Sequence, residues 1–489
     1  MALQSFYQAT PYICYDLISM KQLSALDTTF LNLETDTTPM HVGCVGIYDP
    51  STIPGGSLDS SEFVKNFERK LAKLPVMRQR HVSAPMGIDY PYWISDPEFN
   101  LDYHIRHIAL PKPGNWRQLC AQAARIHERP LDLKRAPWEV YVISGLDAIE
   151  GIPEGSFALV SKMHHALIDG VRGIQILAAL HDLSPKMSVP KNLEPIIVDR
   201  LPSGIELLTR AALNMPGNLM AKARATTRHA LPLLRNMAGI LLSNEKMPRM
   251  APKTRFNTKV TSHRVFDAVS FDLKEIKALR QLVPGSTIND VMVAIVSGAM
   301  RRYLTGKGEQ PEKSLRAMLP MNVSAAGSGA QGNHISFMFP SIHTDIEGSV
   351  ERLVAIKQEN EAAKSRQEKH NGQMLMDSTH LLPTTLTHLV IDKAIKYNIA
   401  NRMKPLFNTV ITNVPGPQLP LYQAGAKMLA MFGAGICYDT VGLFHIIFSY
   451  NGNITISFTS CLDMMPDTEH YATCLKRAMA EMKKNLPTT

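Results

Sequence analysis

The residues best suited to chemistry lie in one short block, Ser161-Lys162-Met163-His164-His165-Ala166-Leu167-Ile168-Asp169-Gly170. Before it, Ser156-Phe157-Ala158-Leu159-Val160 has the composition of a strand, and after it Val171, Ile174, Leu177 and Leu180 recur at helical spacing. The block therefore falls on a strand-to-helix connection, a place where side chains are displayed on a rigid base. Side chains alternate along an extended chain, so Phe157, Leu159, Ser161, Met163 and His165 share one face and Ala158, Val160, Lys162 and His164 the other. The two histidines cannot share a role.

A neutral imidazole at His165 can take a proton from a hydroxyl, amine or thiol that attacks an acyl donor, typically a factor of about 100 to 10,000 in rate. Asp169 would hold the turn or orient the ring, and Gly170 would allow a backbone shape or close approach that a Cβ blocks. Metal binding by the same residues is the competing chemistry. The chain has no H-E-x-x-H and no third histidine at suitable spacing, so no metal site is expected. There is no G-x-S-x-G, no cysteine in a catalytic setting and no glycine-rich phosphate loop. The simplest mechanism is direct transfer between two bound substrates, without a covalent intermediate or a permanently bound cofactor.

The elements that must position this block read as α/β (α+β). Trp138 to Gly145 is a strand that pairs with the one entering the histidines, across the Glu150-Gly151-Ile152-Pro153-Glu154-Gly155 turn. Upstream, a short helix is expected near Leu26 to Leu33, a strand over His41 to Tyr48, a helix from Ser60 or Ser61 to Leu74, and another over Trp116 to His127. Prolines at 185, 190, 195 and 202 mark a linker. Downstream, strands are expected at 264–273, 315–321, 336–339 and 408–413. Helices are expected at 273–282, from Thr287-Ile288-Asn289-Asp290 to Leu304, at 350–367, near 383–400 and at 468–486. Asn451-Gly452 between two strands signals a type I′ hairpin.

At 489 residues the chain suits two domains of about 200 residues each. The expected division is an extension over 1–19, with Met20 a rival start to Met1, a domain over 20–190, a basic crossover over 191–256 and a second domain over 257–489. Hydrophobic residues at 45% and charged residues at 19% indicate a globular chain, and 26 methionines suit an adaptable apolar pocket. Six cysteines without short spacings, and no apolar run long enough to span a bilayer, point to a cytoplasmic protein. The net charge of +9 is concentrated between 200 and 260, where eleven lysines and arginines face two acids, Glu206 and Glu245. Apolar residues are interspersed there, as in segments that lie peripherally on an anionic membrane or lipid droplet. A solvated crossover between domains is the plain alternative. Nucleic acid is not an expected partner.

Together these residues resemble the bacterial wax ester synthase/acyl-CoA:diacylglycerol acyltransferases, within the superfamily of chloramphenicol acetyltransferase and condensation domains. His164-His165-Ala166-Leu167-Ile168-Asp169-Gly170 fits H-H-x-x-x-D-G. Leu23-Ser24-Ala25-Leu26-Asp27, Pro39-Met40-His41-Val42-Gly43, Pro130-Leu131-Asp132 to Trp138-Glu139, Asn289-Asp290, Gly332-Asn333 and Asn413-Val414-Pro415-Gly416-Pro417 extend the likeness from about residue 20 to 485. The resemblance implies two chloramphenicol acetyltransferase-like domains with the active site in a tunnel between them. It also implies acyl-CoA as co-substrate, a fatty alcohol or diacylglycerol as acceptor, His165 as base and Asn289-Asp290 as a second motif close to it. The Asn289 amide would then donate to the carbonyl oxygen that gains charge, or else cap a helix, with Asp290 stabilising local structure. Ala136-Pro137-Trp138 departs from the family's Pro-Leu-Trp and bears on the pocket wall. Acylation of a polyketide or other secondary metabolite is the alternative activity, and non-catalytic lipid-surface binding the alternative of another class. The residues that contact CoA are not marked.

Overall fold

The computed structural model describes residues 20–168, 170–187, 200–215, 220, 250–322, 335–369, 393 and 403–487. The expected N-terminal extension, most of the 191–256 crossover and all but one residue of the helix near 383–400 lie outside them. In chain order the principal strands are β1 (His41–Asp49), β2 (Ile105–Ala109), β3 (Trp138–Ser144), β4 (Phe157–His164), β5 (Arg264–Asp272), β6 (Ala317–Asn322), β7 (Ile335–Met338), β8 (Thr409–Pro415), β9 (Tyr422–Gln423), β10 (Ala426–Ala434), β11 (Leu443–Tyr450) and β12 (Asn453–Cys461). They form two six-stranded sheets, ordered β9-β10-β1-β4-β3-β2 and β7-β6-β8-β11-β12-β5. A small third sheet joins Lys21–Gln22, Tyr92–Ser95 and Gln79–Val82.

β4 is central in the first sheet, paired with β1 (His41 opposite His164) and with β3 (Trp138 opposite Met163). The helix over Trp116–Glu128 covers one of its faces and the gap between the sheets lies over the other, which suits its largely apolar sequence. The Asn451-Gly452 hairpin forms as expected, with φ of 44° and 85°, the left-handed pair of a type I′ turn.

The principal helices among the described residues are α1 (Ala25–Leu33), α2 (Ser60–Leu71), α3 (Trp116–Glu128), α4 (Gly170–Leu180), α5 (Leu273–Leu279), α6 (Ile288–Gly306), α7 (Ser349–Lys369) and α8 (Thr468–Lys484). α2 buries Phe63, Phe67 and Leu71 on one stripe, but its cap is Asp59, whose carboxylate accepts from the N–H groups of Ser61 and Glu62. α3 lays Leu119, Ala123, Ala124 and Ile126 against Ala158 and Val160 of β4. α6 is apolar nearly all round and is buried with α5 and α8 on the second sheet.

The chain after residue 257 does not build the second sheet alone. β9 and β10, from the C-terminal part of the chain, complete the first sheet, with Met428 opposite Tyr48 and Ala434 opposite Gly43. β10 also packs on the second sheet, and Gly433 permits this, since a Cβ there would lie 2.7 Å from Ile446 Cγ2. The two units are joined further by Trp116 Nε1, which donates to Asp267 on β5 at 2.8 Å, and by Arg264, which donates to the Thr37 carbonyl.

Burial holds the imidazoles of His127 and His181 down to about 4 and that of His445 to about 3, from 6.5. These groups are neutral when folded and become protonated on unfolding below pH 6.5. Their contribution to stability is therefore complete above about pH 6.5 and is lost as pH falls toward 4, at roughly 1.4 kcal/mol per histidine per pH unit. Urea midpoints measured across that window should fall steadily; a flat profile would show that these histidines are accessible to protons in the native state.

Candidate active site

His165 follows the last residue of β4 and is held from two directions. Its N–H donates to the Met40 carbonyl at 2.8 Å, and its half-buried ring stacks on Phe30, with centroids 4.0 Å apart and planes 17° apart. Phe30 is presented by α1, which Ser24 caps by accepting from the Asp27 N–H. The ring is thus fixed by packing at the cavity wall.

His164 points the other way and is fully buried. Its Nδ1 accepts from the Ala166 N–H at 3.1 Å, which places the ring proton on Nε2, and Nε2 donates to Glu34 Oε2 at 2.7 Å. The Met40 N–H also reaches that oxygen, at 3.4 Å. One carboxylate therefore ties the end of α1, the chain leading into β1 and the end of β4 together. Gly43, in the Pro39-to-Gly43 motif, lets β1 approach β4 closely, since a Cβ there would lie 2.7 Å from the Ser161 carbonyl oxygen.

A cavity of about 1210 Å³ opens between the two sheets. Leu159, Ser161, Met163 and His165 line it, as the alternation of β4 requires. Met318 of β6, Val410 and Thr412 of β8, and Phe444, Ile446 and Phe448 of β11 line it from the second sheet, and α4 adds Ile176, Leu177 and Leu180. Met40, Met163, Met318 and Met431 are all in the wall, which gives some of the many methionines a purpose. From Leu159 to His165 the cavity follows β4 for roughly 20 Å, at about 3.3 Å per residue.

Not every expected site residue comes to this place. Asn289 is half-buried in the first turn of α6 and is not among the cavity-lining residues. Asp290 forms a capping box with Thr287 and accepts from Asn360 Nδ2 at 2.7 Å, so it serves the helix start, as expected of a residue that stabilises local structure. Asp169 lies outside the described residues, and Gly170 opens α4. Ala136, Pro137 and Trp138 are also absent from the cavity wall. The Pro137 carbonyl accepts from the His164 N–H at 2.9 Å, a backbone bond that any residue at this position would offer.

Glu34 and Phe30 escape notice in the sequence because nothing local links them to residues 130 positions away. Asn413 carried a motif but no role; the structure puts it, exposed, in the cavity wall. Among the described residues no group of three or more His, Cys, Asp or Glu could hold a metal, and no helix is long and apolar enough to cross a membrane.

Two mixed six-stranded sheets with a histidine-bearing cavity between them define an acyltransferase of the condensation-domain type of fold. The chain belongs to the wax ester synthase/diacylglycerol acyltransferase family: the family's catalytic domain matches residues 23–292 and its C-terminal domain residues 331–483. A putative diacylglycerol O-acyltransferase of Mycobacterium tuberculosis is 31% identical over 95% of this chain and 90% of its own length. A probable diacylglycerol O-acyltransferase of the same organism is 29% identical over 94% and 98%. The wax ester synthase/diacylglycerol acyltransferase of Marinobacter aquaeolei superposes with a TM-score of 0.64 at 27% identity, covering 96% of this chain and all of that one. The first condensation domain of the calcium-dependent antibiotic synthetase shares the fold alone, with a TM-score of 0.54 at 12% identity over 97% and 98% of the two chains.

The clamp makes a stability prediction. His164→Ala leaves the Glu34 carboxylate and the Ala166 N–H without their buried partner and should cost about 1–3 kcal/mol. Glu34→Gln keeps an oxygen at this position and should cost less. Denaturant titration of both variants checks the order; equal stability of His164→Ala and the parent would show that the bond holds nothing together.

Proposed function

We propose that the protein transfers a long acyl chain from acyl-CoA to the hydroxyl of a fatty alcohol or a diacylglycerol, with His165 as general base. The observation that carries this reading is the position of His165, braced by Phe30 on the wall of a long apolar cavity. The acceptor hydroxyl gives its proton to an imidazole nitrogen of His165 as its oxygen bonds to the thioester carbon. The tetrahedral intermediate then breaks its C–S bond, and the CoA sulfur leaves with the proton that His165 returns. The products are a neutral ester and CoA. The apolar wall accommodates the chains and excludes water, so that the alcohol rather than water receives the acyl group. The names of the mycobacterial relatives favour diacylglycerol as acceptor, and that of the Marinobacter protein includes wax ester synthesis as well.

His165→Ala should lower turnover of acyl-CoA with hexadecanol or diacylglycerol by at least about 100-fold while leaving the circular dichroism spectrum unchanged. Asn289→Ala should cause a far smaller loss. Parent-like turnover by the His165 variant would end this reading.

A lipid surface is the natural source of such acceptors, and one face of the molecule suits it. The helical stretch 204–215 exposes Ile205 (76%) and Leu213 (74%), and it packs beside the turn that exposes Met86 (82%). The basic residues Arg224, Arg228 and Arg235, expected to share this task, lie outside the described residues. Replacing Ile205 and Leu213 together with Asp should reduce co-flotation with anionic liposomes without reducing turnover of a short, soluble acceptor. Undiminished flotation would remove this face from the proposal.

A further inference from the structure

Gln423 is a buried polar side chain with no structural occupation. It is 1% exposed, lines the cavity, and among the described residues neither its amide nitrogen nor its amide oxygen has a hydrogen-bond partner. An amide removed from water is costly unless something bonds to it.

The backbone beneath it is fixed more firmly than a two-residue edge strand requires. The N–H groups of Tyr422 and Asp182 donate to each other's carbonyls, both at 2.8 Å, and Thr52 Oγ1 donates to the Gly425 carbonyl at 2.6 Å. Gln423 leads into a two-residue type I′ turn, Ala424 at φ 49° and Gly425 at φ 85°, which fixes its register opposite Ala426.

Its place in the cavity gives the clue to its use. Gln423 pairs with Ala426, next to the Met428–Tyr48 and Tyr48–Phe157 pairings, whereas His165 follows the opposite end of β4. Tyr48 and His181 line the same far end but are already engaged. His181 Nδ1 donates to the Leu177 carbonyl at 2.7 Å, leaving Nε2 to accept from the Tyr48 hydroxyl at 2.8 Å. Gln423 keeps both its donor and its acceptor unspent.

We infer that Gln423 is a specificity-determining residue that hydrogen-bonds an oxygen function, a hydroxyl or keto group, at the distal end of a substrate chain whose other end reacts at His165. This rests on the transfer reading above and adds a substrate class to it, long chains oxygenated at both ends. A terminal hydroxyl uses the site fully, donating to the amide oxygen and accepting from the amide nitrogen. The oxygenated chain can be the acyl group or the alcohol, because both converge on His165.

Two arms of one experiment separate those sources. The first compares an ω-hydroxy long-chain acyl-CoA with the unsubstituted acyl-CoA of equal length, using a plain alcohol. The second compares a long α,ω-diol with the plain alcohol, using a plain acyl-CoA. The parent should favour the oxygenated chain in at least one arm, by about tenfold in kcat/KM. Gln423→Leu and Gln423→Met should abolish or reverse that preference while retaining turnover of unsubstituted pairs. Thermal shifts of parent and variants with diol and with plain alcohol read the same preference as binding, so a failure of the transfer reading is distinguishable from a failure of this one. The same preference in parent and variants, or none in either arm and in binding, would overturn the inference and leave Gln423 as the holder of an ordered water.

Discussion

The active-site geometry depends on the buried hydrogen bond from His164 to Glu34. A histidine and a carboxylate with almost no access to water would each be costly alone; together they satisfy each other and bind three segments far apart in sequence. The clamp fixes the end of α1, which carries Phe30, and the approach to β1, which carries the Met40 carbonyl. Both of those groups brace His165. The buried histidine of the pair thus helps set the position of the one in the cavity wall, and strand geometry obliges them to part, because adjacent residues along an extended chain must face opposite sides.

The second constraint is the need to close a cavity between two sheets without filling it. β10 accomplishes this by belonging to the first sheet while packing on the second, and Gly433 makes room for that contact. Many of the side chains facing the gap are methionines, leucines and phenylalanines. Where the wall is apolar, a hydrogen bond such as the one Gln423 offers discriminates strongly between chains that can make it and chains that cannot.

Much of the local structure was legible in the sequence. Alternation along 157–165 separated the histidines, Asn451-Gly452 specified its hairpin, and the apolar stripes of α2, α3 and α8 marked helices that pack as expected. Other features were not legible. Ala426 to Ala434 is rich in alanine and methionine, which favour helices, and only pairing with β1 makes it a strand. The Asn289-Asp290 pair suits both catalysis and a helix start, and spacing does not distinguish the two.

The sequence by itself determined which of the two histidines shares a face with Leu159, Ser161 and Met163 and the mixed α/β character of the protein, because these follow from periodicity and from the composition of neighbouring residues. The partners of that histidine were decided by tertiary structure alone. Phe30, Glu34, Met40 and Gln423 acquire their roles from contacts between segments separated by more than a hundred residues, and from burial, which determines whether a carboxylate serves as a clamp and whether an amide remains unsatisfied until a ligand arrives.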